Sequence, residues 1–464
     1  MGLRYDMVIV GAGTAGCVLA GRLADDPRRS ILLLEAGPDG ASPAVRGNSF
    51  FAALAEPGRT YPDVMVQRTR GAELTPYLLG RGMGGSSAVN GMVATIGVRE
   101  DYNRWERDLG CVGWSYKDIA GSAGRMSLTA FDFDKEALGP VDQALIRGAK
   151  AFKHPKIKTP FIDLGVGPAA LSRWKGERRT AADWFLDKAR VHSNLTVRAE
   201  SDVRRILIDG RRAVGVELAD GEIIEAAEVV LAAGALHSPL LLLRSGVERS
   251  GIGVGLKDHP SATLTLRLVT RADTSVVAAA ALLRWSSPDH VGDLQALSMN
   301  HVGDPDYGAL VIGLMSVHSS GSIELVDDEP VITFNMLDDE RDVVRLREAV
   351  RHVATIANSK PFWSVAESIL IDGAGTPLHA LNDDEMIDDW MRANVGAYSH
   401  AACSCRMGPI EDPTTAVDTA GLVHGYEGLR VCDASIFPDV PSANLAMPTM
   451  IVADRIAQLI IDES

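Results

Sequence analysis

"VIVGAGTAGCVLAGRL", residues 8 to 23, decides the fold. Val8, Ile9 and Val10 form a buried-strand pattern, and the glycines Gly11, Gly13 and Gly16 follow at the spacing of a dinucleotide-binding turn. An apolar helix pattern then runs to about Ala24. Such a turn lets backbone amides and the positive end of a helix approach a pyrophosphate. A Pro27 turn and the strand pattern "SILLLEAG" from Ser30 complete a parallel strand–helix–strand unit. Glu35 closes its second strand 19 residues beyond Gly16, where a carboxylate can accept hydrogen bonds from ribose hydroxyls.

Working outward, "AEVVLAAGA" from Ala227 and "GLRVCDAS" from Gly428 read as buried parallel strands. Each precedes a helix pattern, "HSPLLLLRSG" and "NLAMPTMIVADRIAQLI". The second helix is expected to begin near Pro448, a residue tolerated in a first turn, with its positive end toward a cofactor. Between about Ser261 and Asn335 the segments "ATLTLRLV", "DLQALSMNHV", "LVIGLMSV", "SIELV" and "VITFN" predict an antiparallel sheet. Inserted between parts of the nucleotide domain, that sheet is a natural substrate platform. The stretch "DDERDVVRLREAVRHVATIA", 338 to 357, predicts a helix whose charges form a solvated face. The expected architecture is an α/β Rossmann-like domain, discontinuous over 1–135, 195–260 and 395–464, plus an α+β substrate domain with an antiparallel sheet over 136–194 and 261–394.

A chain of 464 residues accommodates two or three domains. Its net charge of -15 repels polyanions, which excludes a nucleic-acid partner. Five cysteines, odd in number, give no disulfide framework. Cys403 and Cys405 would share one face of a strand, but no second pair opposes them, so no metal site is expected. No apolar run reaches the roughly 18 residues of a membrane span. The first strand begins by Asp6, leaving no room for a signal peptide, and a soluble cytoplasmic protein is expected.

A second glycine-rich stretch, "YLLGRGMGGSSAVNGM" at 77 to 92, cannot be a helix interior; it suits a loop whose amides approach a diphosphate or a planar ring system. It resembles the first signature of the glucose-methanol-choline oxidoreductases, flavoproteins that bind FAD in a Rossmann-type domain. "GALHSPLLLLRSGV" (234 to 247) is similar to the second signature, with Glu248 where a further glycine is usual. "GVGLKDHP" (253 to 260) resembles the segment that follows it, and "SHAACSCRMG" (399 to 408) and "VCDASIFPDVPSANLAMPTMIVADRIA" (431 to 457) resemble the region of the catalytic pair. The resemblance runs from Asp6 to about Ile460. There are departures: Met83 replaces a branched aliphatic residue, the loop between Gly246 and Gly253 is short, and Cys403-Ser404 replaces a Gly-Thr. Locally the pattern is similar to bacterial primary-alcohol and hydroxymethylfurfural oxidases, and the compactness of the chain resembles the flavoproteins of the mycofactocin system.

The resemblance implies FAD as cofactor. It places FAD contacts at Gly11, Gly13, Thr14, Ala15, Gly16, Glu35 and Ala36, and in the second loop at Arg81, Gly84, Gly85, Ser86, Asn90, Gly91, Met92 and Val93. Further contacts are implied at Val203, Ala233, Asp433, Ala434 and Pro448. Some relatives attach the flavin through a histidine just before the residue matching Asn90; Val89 stands there, which implies noncovalent FAD. His400 matches the base that removes the hydroxyl proton of an alcohol, a task suited to an imidazole with an ordinary pKa near about 6.5. Asn444 matches its partner, which orients the substrate oxygen; capping the helix near Pro448 is its structural alternative. Of the other histidines, His259 reads as structural at the domain junction, His237 starts a helix, and His318 falls on an expected strand. The reaction implied is oxidation of a small-molecule alcohol by hydride transfer to flavin N5, with electrons passed to a quinone, an organic or protein acceptor, or oxygen. A mycofactocinol-reoxidising dehydrogenase, a hydroxynitrile lyase with redox-silent FAD and a nicotinamide-linked reductase are the alternatives.

Overall fold

The computed structural model describes residues 4–128, 137–159, 161–372, 375–378 and 383–463; the expected boundary at 135/136 lies outside them. Strand β1 (Arg4–Val10), helix α1 (Thr14–Leu23) and strand β2 (Ile31–Leu34) form where the opening stretch predicts. On one side of β1 lie β2 and then Leu195–Arg198; on the other lies Ile223–Leu231, with Leu429–Val431 beyond it, all parallel. All four residues of β2 are buried, as a strand covered on both faces requires. The strand order reverses at β1, so a crevice opens at its carboxyl end, where nucleotides bind in such sheets. The first half of Ile223–Leu231 instead pairs with an antiparallel meander, Arg212–Leu218 and Val203–Asp209.

"HSPLLLLRSG" lies in the helix Gly234–Arg244, and the C-terminal helix is Ala446–Asp462, starting two residues before Pro448. The latter packs along α1, and its fully buried Asp454 is clamped by Arg22 of α1 and by Arg125 of the helix Tyr116–Leu128. A carboxylate at that depth requires such pairing.

The substrate platform is a second sheet in the order Ala366–Leu370, Pro260–Leu268, Tyr307–Leu314, Leu294–Met299, Ala281–Trp285, Gly165–Pro168, antiparallel throughout. Alternation along its strands sends Leu264, Leu283, Ala296 and Ile312 into a core shared with the helices Pro140–Ala151 and Glu340–Ala357. The opposite residues, Leu282, Leu297 and Val311, meet Met92, Val93 and Leu171, so this face looks toward the second glycine loop.

Four expectations are corrected. "SIELV" and "VITFN" are strands, Gly321–Val326 and Glu329–Thr333, but they form a hairpin in a separate sheet with Val254–Leu256, Met65–Gln67 and Leu74–Pro76. Alternation identifies a strand without identifying its partner. The helix Glu340–Ala357 does not expose all its charges: Arg345 is buried between Asp342 (2.7 Å) and Asp293 (3.0 Å), and Asp342 also accepts the backbone N–H groups of His318 and Ser319. His318 therefore sits in a loop held by that carboxylate, not on a strand. Cys403, with φ at +68°, breaks any strand through Cys405, and all five cysteines are buried and free.

Candidate active site

The first glycine turn is shaped by contacts that exclude side chains. Gly11 has φ at +99°, and a Cβ there would lie 2.6 Å from the Ala232 carbonyl oxygen. A Cβ on Gly16 would lie 1.9 Å from the Gly11 oxygen, so this glycine lets the helix close onto the strand. The second loop seats directly on the first: Gly84 N–H donates to Ala12 O at 2.8 Å, and a Cβ on Gly85 would lie 2.7 Å from Gly13 Cα. Glu35 joins the two loops. Its buried carboxylate accepts Ala12 N–H (2.8 Å) on Oε2 and both Gly37 N–H and Gly82 N–H (2.9 Å each) on Oε1.

Other expected cofactor contacts gather on this crevice. Arg81 donates to the Ala36 carbonyl at 2.6 Å. Ser201 N–H donates to Glu35 O, which brings the start of the Val203 strand to the same corner. Ser86 Oγ accepts Gly80 N–H, and Asn90 Oδ1 accepts Met92 N–H, fixing Met92 at φ +65°. Arg178, fully buried, donates to both oxygens of Asn90 and so props that loop from behind. On the far wall, buried Asp433 accepts Gly234 N–H and Ser435 N–H at 2.8 Å each and the Ser238 hydroxyl at 2.5 Å. That carboxylate ties Ala434 and its turn to Ala233 at the start of the helix Gly234–Arg244. Val89 is buried and offers no imidazole at its position.

His400 lies where the two sheets meet. The pair Gly396–Ala397 extends the second sheet against Pro260 and Ser261, while the N–H groups of Cys403, Cys405 and Met407 donate to the carbonyls of Ala434, Ser435 and Ile436. Asp258 organises the turn between: its Oδ1 accepts the backbone N–H of His259 (2.6 Å) and of His400 (3.0 Å), and its Oδ2 accepts the Tyr77 hydroxyl (2.6 Å). Tyr77 in turn accepts Ala401 N–H at 2.9 Å. The imidazoles of His259 and His400 stand perpendicular, with their Nδ1 atoms 2.9 Å apart. Asp258, His259 and His400 converge closely enough to suggest a metal. The carboxylate oxygens are already engaged and the two Nδ1 atoms face each other at hydrogen-bond distance, so the arrangement is a hydrogen-bond network.

Asn444 is reached through the second sheet. The Tyr398 ring packs 5.3 Å, centroid to centroid, from the His400 ring and lies over Gly313, whose Cβ would be 2.6 Å from that ring. Gln295 pairs across the sheet with Gly313 and donates to Asn444 Oδ1 at 3.4 Å. Thr95 donates to the same oxygen (3.3 Å) and accepts Asn444 N–H (2.8 Å). The side chain of Asn444 does not cap the following helix, whose N-cap is Leu445.

Comparison with known proteins fits this geometry. The family model of the GMC (glucose-methanol-choline) oxidoreductases matches in two parts, residues 5–261 and residues 317–453. The chain belongs to this family. It is 31% identical to 5-(hydroxymethyl)furfural oxidase of Methylovorus sp. over 99% of both chains, and 31% identical to mitochondrial choline dehydrogenase of Mus musculus over 98% of this chain and 89% of the relative. The first alignment spans 538 positions against the 464 residues here, so the relative carries insertions that this GMC oxidoreductase lacks. Pyridoxine 4-oxidase from Mesorbium loti superposes with a TM-score of 0.89 at 24% identity, over 99% of both chains. The protein is accordingly an FAD-dependent oxidoreductase of a family acting on alcohol-type substrates. No helix among the described residues is long and apolar enough to cross a membrane.

The electrostatics of this GMC oxidoreductase favour an uncharged imidazole at position 400. Although His400 as a residue is half-buried, desolvation of its ring, with His259 beside it, holds its pKa well below the usual histidine range. Burial lowers His259 to about 3 and His237 to about 4, and pushes Asp258 up to about 7. Sequence reading missed Tyr77, Thr95, Asp258, Gln295 and Tyr398, and took His259 as merely structural. Tyr77 and the Asp258-His259 pair stand inside the quoted motifs, so a signal was present for them. Gln295 and Tyr398 carry none, because only sheet register brings them to the site.

Proposed function

We propose that the protein oxidises the CH–OH group of a small primary alcohol, with His400 as proton acceptor and Asn444 as the group that orients the substrate oxygen. The observation that carries this reading is the continuity from His400 through Tyr398 and Gln295 to Asn444 on the sheet face that looks toward the second glycine loop. Both hydrogen bonds to the Asn444 side chain fall on Oδ1, so the Nδ2 amino group is the donor presented to a substrate oxygen. Likewise the bonded nitrogen of His400 is Nδ1, which leaves Nε2 to take the hydroxyl proton as the O–H bond breaks. The uncharged state of His400 suits that task, since an imidazolium could not accept it.

FAD, when bound, supplies the two-electron acceptor that takes the hydride from the carbinol carbon. The glycines that admit no Cβ, the Glu35 corner and the Asp433 wall fit its pyrophosphate, ribose and ribityl portions, and Val89 supports noncovalent attachment. Leu282, Leu297 and Val311 provide an apolar wall that keeps water from the reacting carbon. Electrons then pass to a non-nicotinamide acceptor.

The test is anaerobic addition of a panel of primary alcohols to the purified yellow protein. Loss of the oxidised-flavin absorbance with at least one alcohol is expected. Cyanohydrin cleavage with no alcohol bleaching the flavin would overturn the reading in favour of a lyase, and bleaching by NADH alone would favour a nicotinamide-linked reductase.

A further inference from the structure

We infer that His259 is a positioning residue: it sets the tautomer of His400 so that Nε2, and not Nδ1, carries the lone pair presented to the substrate. This rests on the proposal that His400 is the proton acceptor.

Two neutral imidazoles whose Nδ1 atoms lie 2.9 Å apart share one proton between those atoms. If His259 donated it, His400 would carry its own proton on Nε2 and have no lone pair there. If His400 donates, Nε2 is free. The surroundings of His259 choose between the two. Its Nε2 is buried without a hydrogen-bond partner, and the backbone carbonyls of Met315 and Pro441 lie near the ring as the acceptors that favour a proton on it. A ring nitrogen whose polar neighbours are carbonyl oxygens holds a proton, because a lone pair there would face other lone pairs. His259 thus carries its proton on Nε2, its Nδ1 becomes an acceptor, and His400 must donate from Nδ1.

The backbone leaves little freedom to escape this choice. Asp258 Oδ1 holds the main-chain N–H of both histidines, and Tyr77 fixes Asp258 and Ala401 together. The charged and titratable groups facing the pair are Asp258 from their own turn, Tyr77 just after the strand Leu74–Pro76, Tyr398 edge-on to His259 and tilted against His400, and the Lys257–Asp439 ion pair (2.8 Å) near His259. Lys257 and Asp439 are of opposite sign and paired, so neither alone fixes the imidazole charge.

The experiment uses the FAD-loaded protein. Long-range ¹⁵N–¹H NMR of histidine-labelled enzyme, assigned by difference with His400→Ala, should show His400 protonated on Nδ1 and unprotonated on Nε2; the opposite tautomer overturns the inference. In His259→Ala, with FAD content and melting temperature checked, the anaerobic flavin-reduction rate should fall roughly 10–100-fold, as when a group orienting an imidazole is removed. His259→Asn, whose amide oxygen can accept from His400 Nδ1, should recover much of the rate. A rate within threefold of the parent in His259→Ala overturns the inference while leaving the base reading intact. Undiminished turnover in His400→Ala would instead sink the base reading. Should His259→Ala fail to fold, the tautomer of the parent enzyme decides.

Discussion

At the level of single residues, burial sets the chemistry. His400→Ala should reduce the rate of flavin reduction by about 10²–10⁴-fold, the span attributed to positioned general bases, with the oxidised-flavin spectrum unchanged. Since the pKa of His400 is displaced downward, the neutral form persists on acidification. The rate of anaerobic reduction should therefore stay flat as pH falls to about 6.5, the ordinary histidine value, and decline only below it. An acid limb centred above that value would contradict the assignment. Tyr77→Phe removes one hydroxyl that serves two buried partners, Asp258 and Ala401 N–H. It should cost about 1–3 kcal/mol in denaturant unfolding, with FAD content preserved.

Among elements, the decisive join is the one between the two glycine loops. A ribose-binding role for Glu35 predicts only that Glu35→Ala loses FAD. The structure adds a second effect, since the same carboxylate holds Ala12, Gly37 and Gly82 through their N–H groups. Glu35→Ala should accordingly lower the melting temperature of the FAD-stripped protein as well as its retention of FAD through dialysis. Equal stability of the two apoproteins would show that the carboxylate has no structural part. The opening strand, glycine turn, first helix and second strand were legible because period, glycine spacing and turn residues all agree locally. The destination of the hairpin Gly321–Thr333 was not, because two alternating strands fit any open sheet edge, and only tertiary packing selects one.

For the whole molecule, what sequence reading leaves out is long-range register. His400 and Asn444 could be matched to motifs, yet Gln295, which joins their surroundings, lies in an ordinary-looking strand and reaches Asn444 across 149 positions of chain. Thiol accessibility offers a test of the global packing. All five cysteines are buried and free, with burial pushing Cys403 and Cys111 up to about 12. A thiol reagent at pH 8 should label none in the native protein and five after denaturation. Rapid labelling of one or more native thiols would contradict this packing.

The segment from Gly396 to Met407 is stitched to the second sheet at one end and to the Ala434–Ile436 turn at the other. Mechanically, it is a weld between the layer that holds the cofactor and the layer that meets the substrate. A weld transmits displacement without damping, so a shift of one layer against the other would carry the imidazole off its target. Substitutions at Leu282, Leu297 and Val311 should therefore disturb the placement of His400 less than changes that re-angle the layers.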